Sequence, residues 1–174
     1  AMISLPFFLQ GALGRSDVTT GLLLTPWPLA TMIMAPLAGR LVERIHAGIL
    51  GGIGMTIFAT GLFLLAILPD NPTNTDIIWR LFICGAGFGL FQTPNNSTII
   101  SSAPSNRSGG ASGMLGTARL LGQTLGATLV AMIFNLVPNN STQACLYLAT
   151  GFAVVAAIIS SLRISQPRPL KGFK

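Results

Sequence analysis

Apolar and polar positions come in long blocks along this chain. Six apolar runs, at 1–14, 18–39, 47–69, 77–103, 108–137 and 142–162, are separated by short polar connections. Crossing a hydrocarbon core of ~30 Å takes roughly 20 helical residues, so five runs are long enough and the first is not. Each run must be helix, because lipid cannot satisfy open backbone groups and the runs are too continuously apolar for barrel strands. The predicted fold class is all-α integral membrane. The chain opens apolar at Ala1-Met2-Ile3, with no basic segment before it. It reads as though it begins inside a helix, so the expectation is a first span cut short and a piece of a longer protein.

The connections carry stop signals. Gly14-Arg15-Ser16-Asp17 ends the first run and can cap the second, and Pro69-Asp70-Asn71-Pro72 ends the third. Charges fall almost entirely in these connections and set an orientation. Arg40, Arg44, Arg107, Arg163, Arg168, Lys171 and Lys174 lie on one side of the membrane, and only Arg15 and Arg80 on the other. The positive-inside rule then makes the 40–46 loop, the loop before 108 and the basic tail 163–174 cytoplasmic.

Composition agrees with lipid as the solvent. Hydrophobic residues make up 51% and charged residues 8%, where a soluble domain carries roughly 25% charged residues. The net charge of +6 has no basic stripe interleaved with aromatics, so nucleic acid is not expected as a partner. Cys84 and Cys145 both fall in apolar runs and read as small core residues. His46 has no second ligand candidate nearby, so neither a metal nor another cofactor is expected. No paired carboxylates or Ser–His arrangement supports an enzyme.

The candidate chemistry lies in three runs. The second holds Thr25-Pro26-Trp27-Pro28 and Pro36, where prolines remove helical hydrogen bonds and kink the span. Thr25 and Trp27 belong either to a kinked packing helix or to a central cavity. The fourth holds Gly85, Gly87 and Gly89, read as sites of close helix packing, then Gln92, Asn95 and Asn96 beside Pro94. Amides at that depth are costly unless they face protein or water, so they line a cavity or bond between helices. The fifth carries one buried charge, Arg119, about 16 Å from its start. Arg119 shares a helical face with Ser112, Gly116, Gln123 and Gly126. That face is expected to point to the bundle interior, with the glycines at 109, 113, 122 and 126 supplying close helix contacts. The last run is expected to face lipid. No Asp or Glu lies inside any run, so this chain supplies no proton-relay carboxylate of its own.

The loop Gly39-Arg40-Leu41-Val42-Glu43-Arg44 resembles the cytoplasmic loop motif of the major facilitator superfamily. The stretches Leu24 to Leu29, Phe88 to Asn96, and Arg107 to Gly113 followed by Arg119 and Gln123 resemble its fourteen-span drug:proton antiporter branch. The resemblance implies a C-terminal six-helix bundle that works by alternating access against an N-terminal bundle. It implies a multi-pass protein of a bacterial inner membrane that moves small amphipathic drugs or antiseptics in exchange for protons. Gly39, Arg40, Glu43, Arg44 and Arg107 would form a cytoplasmic gate. Thr25, Trp27, Gln92, Asn95, Asn96, Arg119 and Gln123 would line the cavity. The alternative is a self-contained six-span protein, either a homodimeric carrier or a structural subunit.

Overall fold

The computed structural model describes residues 2–69, 71–104, 107–138 and 140–162. The basic tail 163–174 and its four expected cytoplasmic charges lie outside the described residues, as does Asp70.

The described residues form helices and no strand. A short helix α1 (Ser4–Phe7) runs into a π-helical turn at Phe8–Ala12. Gly14 then takes φ +59°, the left-handed conformation that glycine reaches without strain. The Ser16 hydroxyl accepts from the Thr19 backbone N–H and caps α2 (Asp17–Leu24). The second apolar run divides at Thr25, because Pro26 and Pro28 have no N–H to continue the helical ladder. It resumes as α3 (Pro26–Val42). His46 accepts from Gly48 N–H and caps α4 (Ala47–Ala66). Then come α5 (Asn74–Ser101), α6 (Ser108–Leu136) and α7 (Ser141–Leu162). The stretches 17–42, 47–66, 108–136 and 141–162 are long and apolar enough to cross a membrane. At 28 residues α5 is also long enough, but Gln92, Asn95, Asn96 and Arg80 dilute its apolarity.

The bundle is built around α4 and α5: α5 packs on α3 and α4, and α4 packs on α7. Glycine sets the approach. A Cβ on Gly54 would stand 2.7 Å from the Phe91 nitrogen, and one on Gly61 would stand 2.7 Å from Cys84 Sγ and 2.9 Å from its nitrogen. Gly85 lies against the Trp27 carbonyl, Gly87 against the Phe58 nitrogen, and Gly89 against Thr31. Across α4 and α7, Gly51 and Gly52 face the Ser160 and Ser161 hydroxyls at 2.6 Å from an added Cβ. Leu9, Leu62, Leu65, Ile77, Leu81 and Leu146 fill the interior. Cys84 and Cys145 are both buried free thiols within it.

Two expectations are corrected here. The helix α7 does not simply face lipid: Thr142, Cys145, Leu146, Ala153, Ala157 and Ser160 form a buried stripe on a helix that packs on α4 and, at Thr142, reaches α1. Small residues recurring along that stripe are what let the two helices close. The glycines of α6 make no close helix contact either. Gly109, Gly113, Gly122 and Gly126 have nothing within 4 Å of a Cβ position, and none of the described residues of α6 is buried.

Candidate substrate cavity and gate

The cavity residues sit on three helices in unequal settings. On α3, Trp27 is only 7% exposed. Its ring meets Phe58 edge-on at 5.6 Å and Phe88 at 6.5 Å, so it ties α3, α4 and α5 together from inside. Thr25, two residues earlier, is exposed at the helix break, and its hydroxyl donates back to the Gly21 carbonyl at 2.9 Å.

On α5, Gln92, Asn95 and Asn96 are half-buried around the buried Pro94. Pro94 removes one donor, leaving the Leu90 carbonyl without its helical partner. The Thr98 hydroxyl bonds the Pro94 carbonyl at 2.8 Å. Polar groups therefore concentrate where the helix is weakest.

On α6, Arg119 and Gln123 are exposed, as are Ser112 and Gly116 on the same face. The helix is open on every side, and Gly126 of the Arg119 face is half-buried, so the described residues set neither an inward nor an outward direction for that face. The helix touches the rest sparsely, with Phe134 against Phe7 as a contact near its end, ring centroids 5.5 Å apart. The gate residues Arg40, Glu43, Arg44 and Arg107 are exposed, and Gly39 has open space at its Cβ position. The structure thus joins Trp27 to the core, groups the α5 amides around Pro94, and leaves Arg119 and the loop charges unburied.

Some polar contacts leave no mark in the sequence pattern. Thr31 Oγ1 lies 3.0 Å from the Trp27 carbonyl and 3.1 Å from the Gly85 carbonyl, bridging α3 to α5. Ser160 Oγ donates to the Gly48 carbonyl at 3.4 Å, and Thr142 Oγ1 to the Ser4 carbonyl at 3.4 Å. The Ser160-Ser161 and Gly51-Gly52 doublets were the only available hint of the α4–α7 contact. Arg80 rests over the neighbouring Trp79 ring at 5.0 Å, with Nε and Nη1 buried and unpartnered.

A bundle of long apolar helices, closed by glycine and carrying its polar side chains in kinked spans, is the architecture of a multi-pass transport protein. The chain belongs to the Major Facilitator Superfamily, whose family model matches residues 1–174. It is 65% identical over 168 residues to the uncharacterized transporter YebQ of Escherichia coli (strain K12), covering 97% of this chain and 37% of that protein. It is 32% identical over 126 residues to the multidrug efflux pump LfrA of Mycolicibacterium smegmatis, covering 72% of this chain and 25% of the pump. It is 30% identical over 130 residues to the riboflavin transporter RibZ of Clostridioides difficile, covering 75% of this chain and 28% of that protein. The chain therefore spans well under half the length of these relatives. It is a multi-pass membrane protein of a transporter family with bacterial members.

Proposed function

We propose that this chain is the C-terminal bundle of a proton-coupled efflux transporter that moves small amphipathic drugs or antiseptics by alternating access. The observation that carries the reading is the α6 face. A guanidinium in the middle of a membrane span is costly unless protein or water satisfies it. Arg119 stands on a helix whose described residues are all unburied, beside glycines with open space above them. Such a face needs an opposing surface, and an N-terminal bundle of the same transporter supplies one. Arg119, Gln123 and Thr25 would then border the central cavity, with Gln92, Asn95 and Asn96 behind them. Trp27, committed to the interior, would set the shape of the wall without touching substrate.

The coupling carboxylate would lie outside this chain, because Asp17, Asp76 and Glu43 stand at helix ends or in loops. The exposed Arg40, Glu43, Arg44 and Arg107 would face the cytoplasm and, with Gly39, close that side against the partner bundle. Relatives named for multidrug efflux and multidrug resistance support the substrate class.

The test is energised dye efflux with membrane abundance measured on the same cells. In the full-length transporter, Arg119→Ala is expected to cut efflux at least tenfold at normal abundance. Arg119→Lys should retain part of the activity where charge alone matters, and little where the planar fork makes paired hydrogen bonds. Unchanged efflux in Arg119→Ala overturns the assignment. Uncoupler-sensitive efflux from cells expressing residues 1–174 alone would instead establish a homodimeric carrier.

A further inference from the structure

At the end of the bundle away from the 40–46 loop, several donors are buried without acceptors. Arg80, early in α5, lies with its guanidinium over the Trp79 ring at 5.0 Å, and its Nε and Nη1 are covered and unpartnered. Arg15 Nε is in the same state, as is the hydroxyl of Thr20, a residue only 3% exposed. Thr20 differs in this from other helical threonines. Thr56, Thr98, Thr124 and Thr150 each donate to the carbonyl four residues earlier, the local outlet for a hydroxyl in a helix. The Thr20 hydroxyl does not take it.

The fold brings these residues to one level. Gly85 lies against Trp27 and Gly89 against Thr31, so α3 and α5 run side by side in the same direction. Carried two turns back across the break at Thr25, that register sets Thr20 level with Ile78, just before Arg80, and α2 packs on α5. The Arg15 backbone N–H donates to the Leu9 carbonyl at 2.9 Å, and Leu9 shares a core cluster with Leu23, Ile77 and Leu81. Arg15 therefore stands at the same margin of the bundle. None of the three belongs to the cavity or the gate described above.

A guanidinium carries five N–H donors and no acceptor, and covering a donor without a partner is costly, more so when it is charged. The described carboxylates at this end do not meet the need. Asp76 stands one turn before Arg80, and its Oδ2 takes the Thr73 N–H and hydroxyl at 3.1 and 2.6 Å. Asp17 is exposed at the start of α2. One planar carboxylate can be satisfied by a single guanidinium fork. Donors from a loop, from α2 and from α5 suit an anion with oxygens on several sides. We propose that Arg80, Arg15 and Thr20 form a phosphate-binding site, filled by inorganic phosphate or by the phosphate of a phospholipid headgroup. The site depends on no transport step.

Isothermal titration calorimetry of the chain in neutral detergent tests the assignment. Sodium phosphate and short-chain phosphatidylglycerol are separate titrants, and sodium chloride at matched ionic strength is the control. Saturable binding of inorganic phosphate assigns a free anion, and saturable binding of phosphatidylglycerol alone assigns the lipid headgroup. With Trp27→Phe leaving Trp79 as the single indole, saturating ligand should shift its emission. Arg80→Gln should abolish binding, and Arg15→Gln and Thr20→Val should each weaken it about threefold to tenfold. Arg80→Lys keeps the charge without the planar donors and should weaken binding at least about fivefold; it decides the matter if Arg80→Gln lacks wild-type helicity by circular dichroism. Asp76→Asn removes a neighbouring negative charge and should tighten binding about threefold, which a purely structural role for these residues would not produce. The same heat from sodium chloride, no binding of either titrant, or binding that the Arg80 variants leave unchanged would each overturn the proposal.

Discussion

Helices α5 and α6 are both rich in glycine and use it in opposite ways. In α5, Gly85, Gly87 and Gly89 are pressed against the backbone of α3 or α4. In α6, Gly109, Gly113, Gly116, Gly122 and Gly126 meet nothing. The helix starts differ too. Thr73 and Asp76 form a reciprocal capping box at α5, while Arg107 at the start of α6 makes no side-chain cap bond. The lesson is that a small-residue motif declares that a helix can be approached closely, and says nothing about who approaches. In α5 the partner is in this chain. In α6 the same signal meets no partner among the described residues, and on the proposed reading it is addressed to the opposing bundle.

The largest effect should come from making the two helices exchange roles. Gly87→Leu puts a side chain into the Phe58 and Gly54 backbone, which cannot retreat without separating α4 from α5. The isolated chain should then fail to reach a folded, detergent-stable state. Gly116→Leu, on α6, should leave the stability of the same chain within about 0.5 kcal/mol, yet abolish transport in the full-length protein by blocking the approach of the opposing bundle. Thermal unfolding by circular dichroism, paired with dye efflux, reads both. A destabilising Gly116→Leu in the isolated chain would show that α6 packs on this bundle after all.

A smaller effect separates the core from the cavity. Trp27→Ala removes the ring shared by Phe58 and Phe88, and burial of that size costs about 3–5 kcal/mol on truncation. Stability of the isolated chain should fall accordingly, while Trp27→Phe recovers most of it. If both variants melt like wild type and only substrate affinity moves, the indole belongs to the cavity.

These cases show what the sequence could carry. The all-α membrane character was readable because lipid forces long helical runs, and the glycines of α5 were readable as packing sites because three of them crowd into five residues beside no polar alternative. The helix start at Thr73 precedes the apolar run at 77, since capping residues are polar and hydropathy passes over them. The sparse packing of α6 on this bundle was not readable. Periodicity groups Ser112, Gly116, Arg119 and Gln123 on one face, but whether that face turns inward depends on tertiary partners that hydropathy does not encode. Trp27 was open between two roles for a related reason: an indole two residues from a threonine in a kinked span suits a core and a cavity equally. The contacts with Phe58 and Phe88 come from two other helices, which the pattern around residue 27 does not encode.

The smallest effect concerns the cap that α5 has and α6 lacks. The Thr73 backbone N–H and hydroxyl both donate to Asp76 Oδ2, at 3.1 and 2.6 Å, and Asp76 N–H donates to Thr73 Oγ1 at 3.2 Å. The Thr73 hydroxyl first, then its backbone N–H, hold the Asp76 carboxyl below its ordinary value of 3.8. A carboxyl whose folded value is depressed adds stability that is fully present above its unfolded value and is lost as pH falls through the folded one. The contribution of the box should therefore be intact at neutral pH and fade only below the ordinary carboxylate range. Thr73→Ala is expected to lower the melting temperature of the chain by about 2–4 °C at pH 7. Arg107→Ala, at the uncapped start of α6, should leave it unchanged. The difference between Thr73→Ala and wild type should narrow at pH 2.5, where Asp76 is increasingly protonated in both. A deficit of the same size at pH 7 and pH 2.5 would assign the whole effect to the uncharged bond from Asp76 N–H to the Thr73 hydroxyl, and none to the carboxylate.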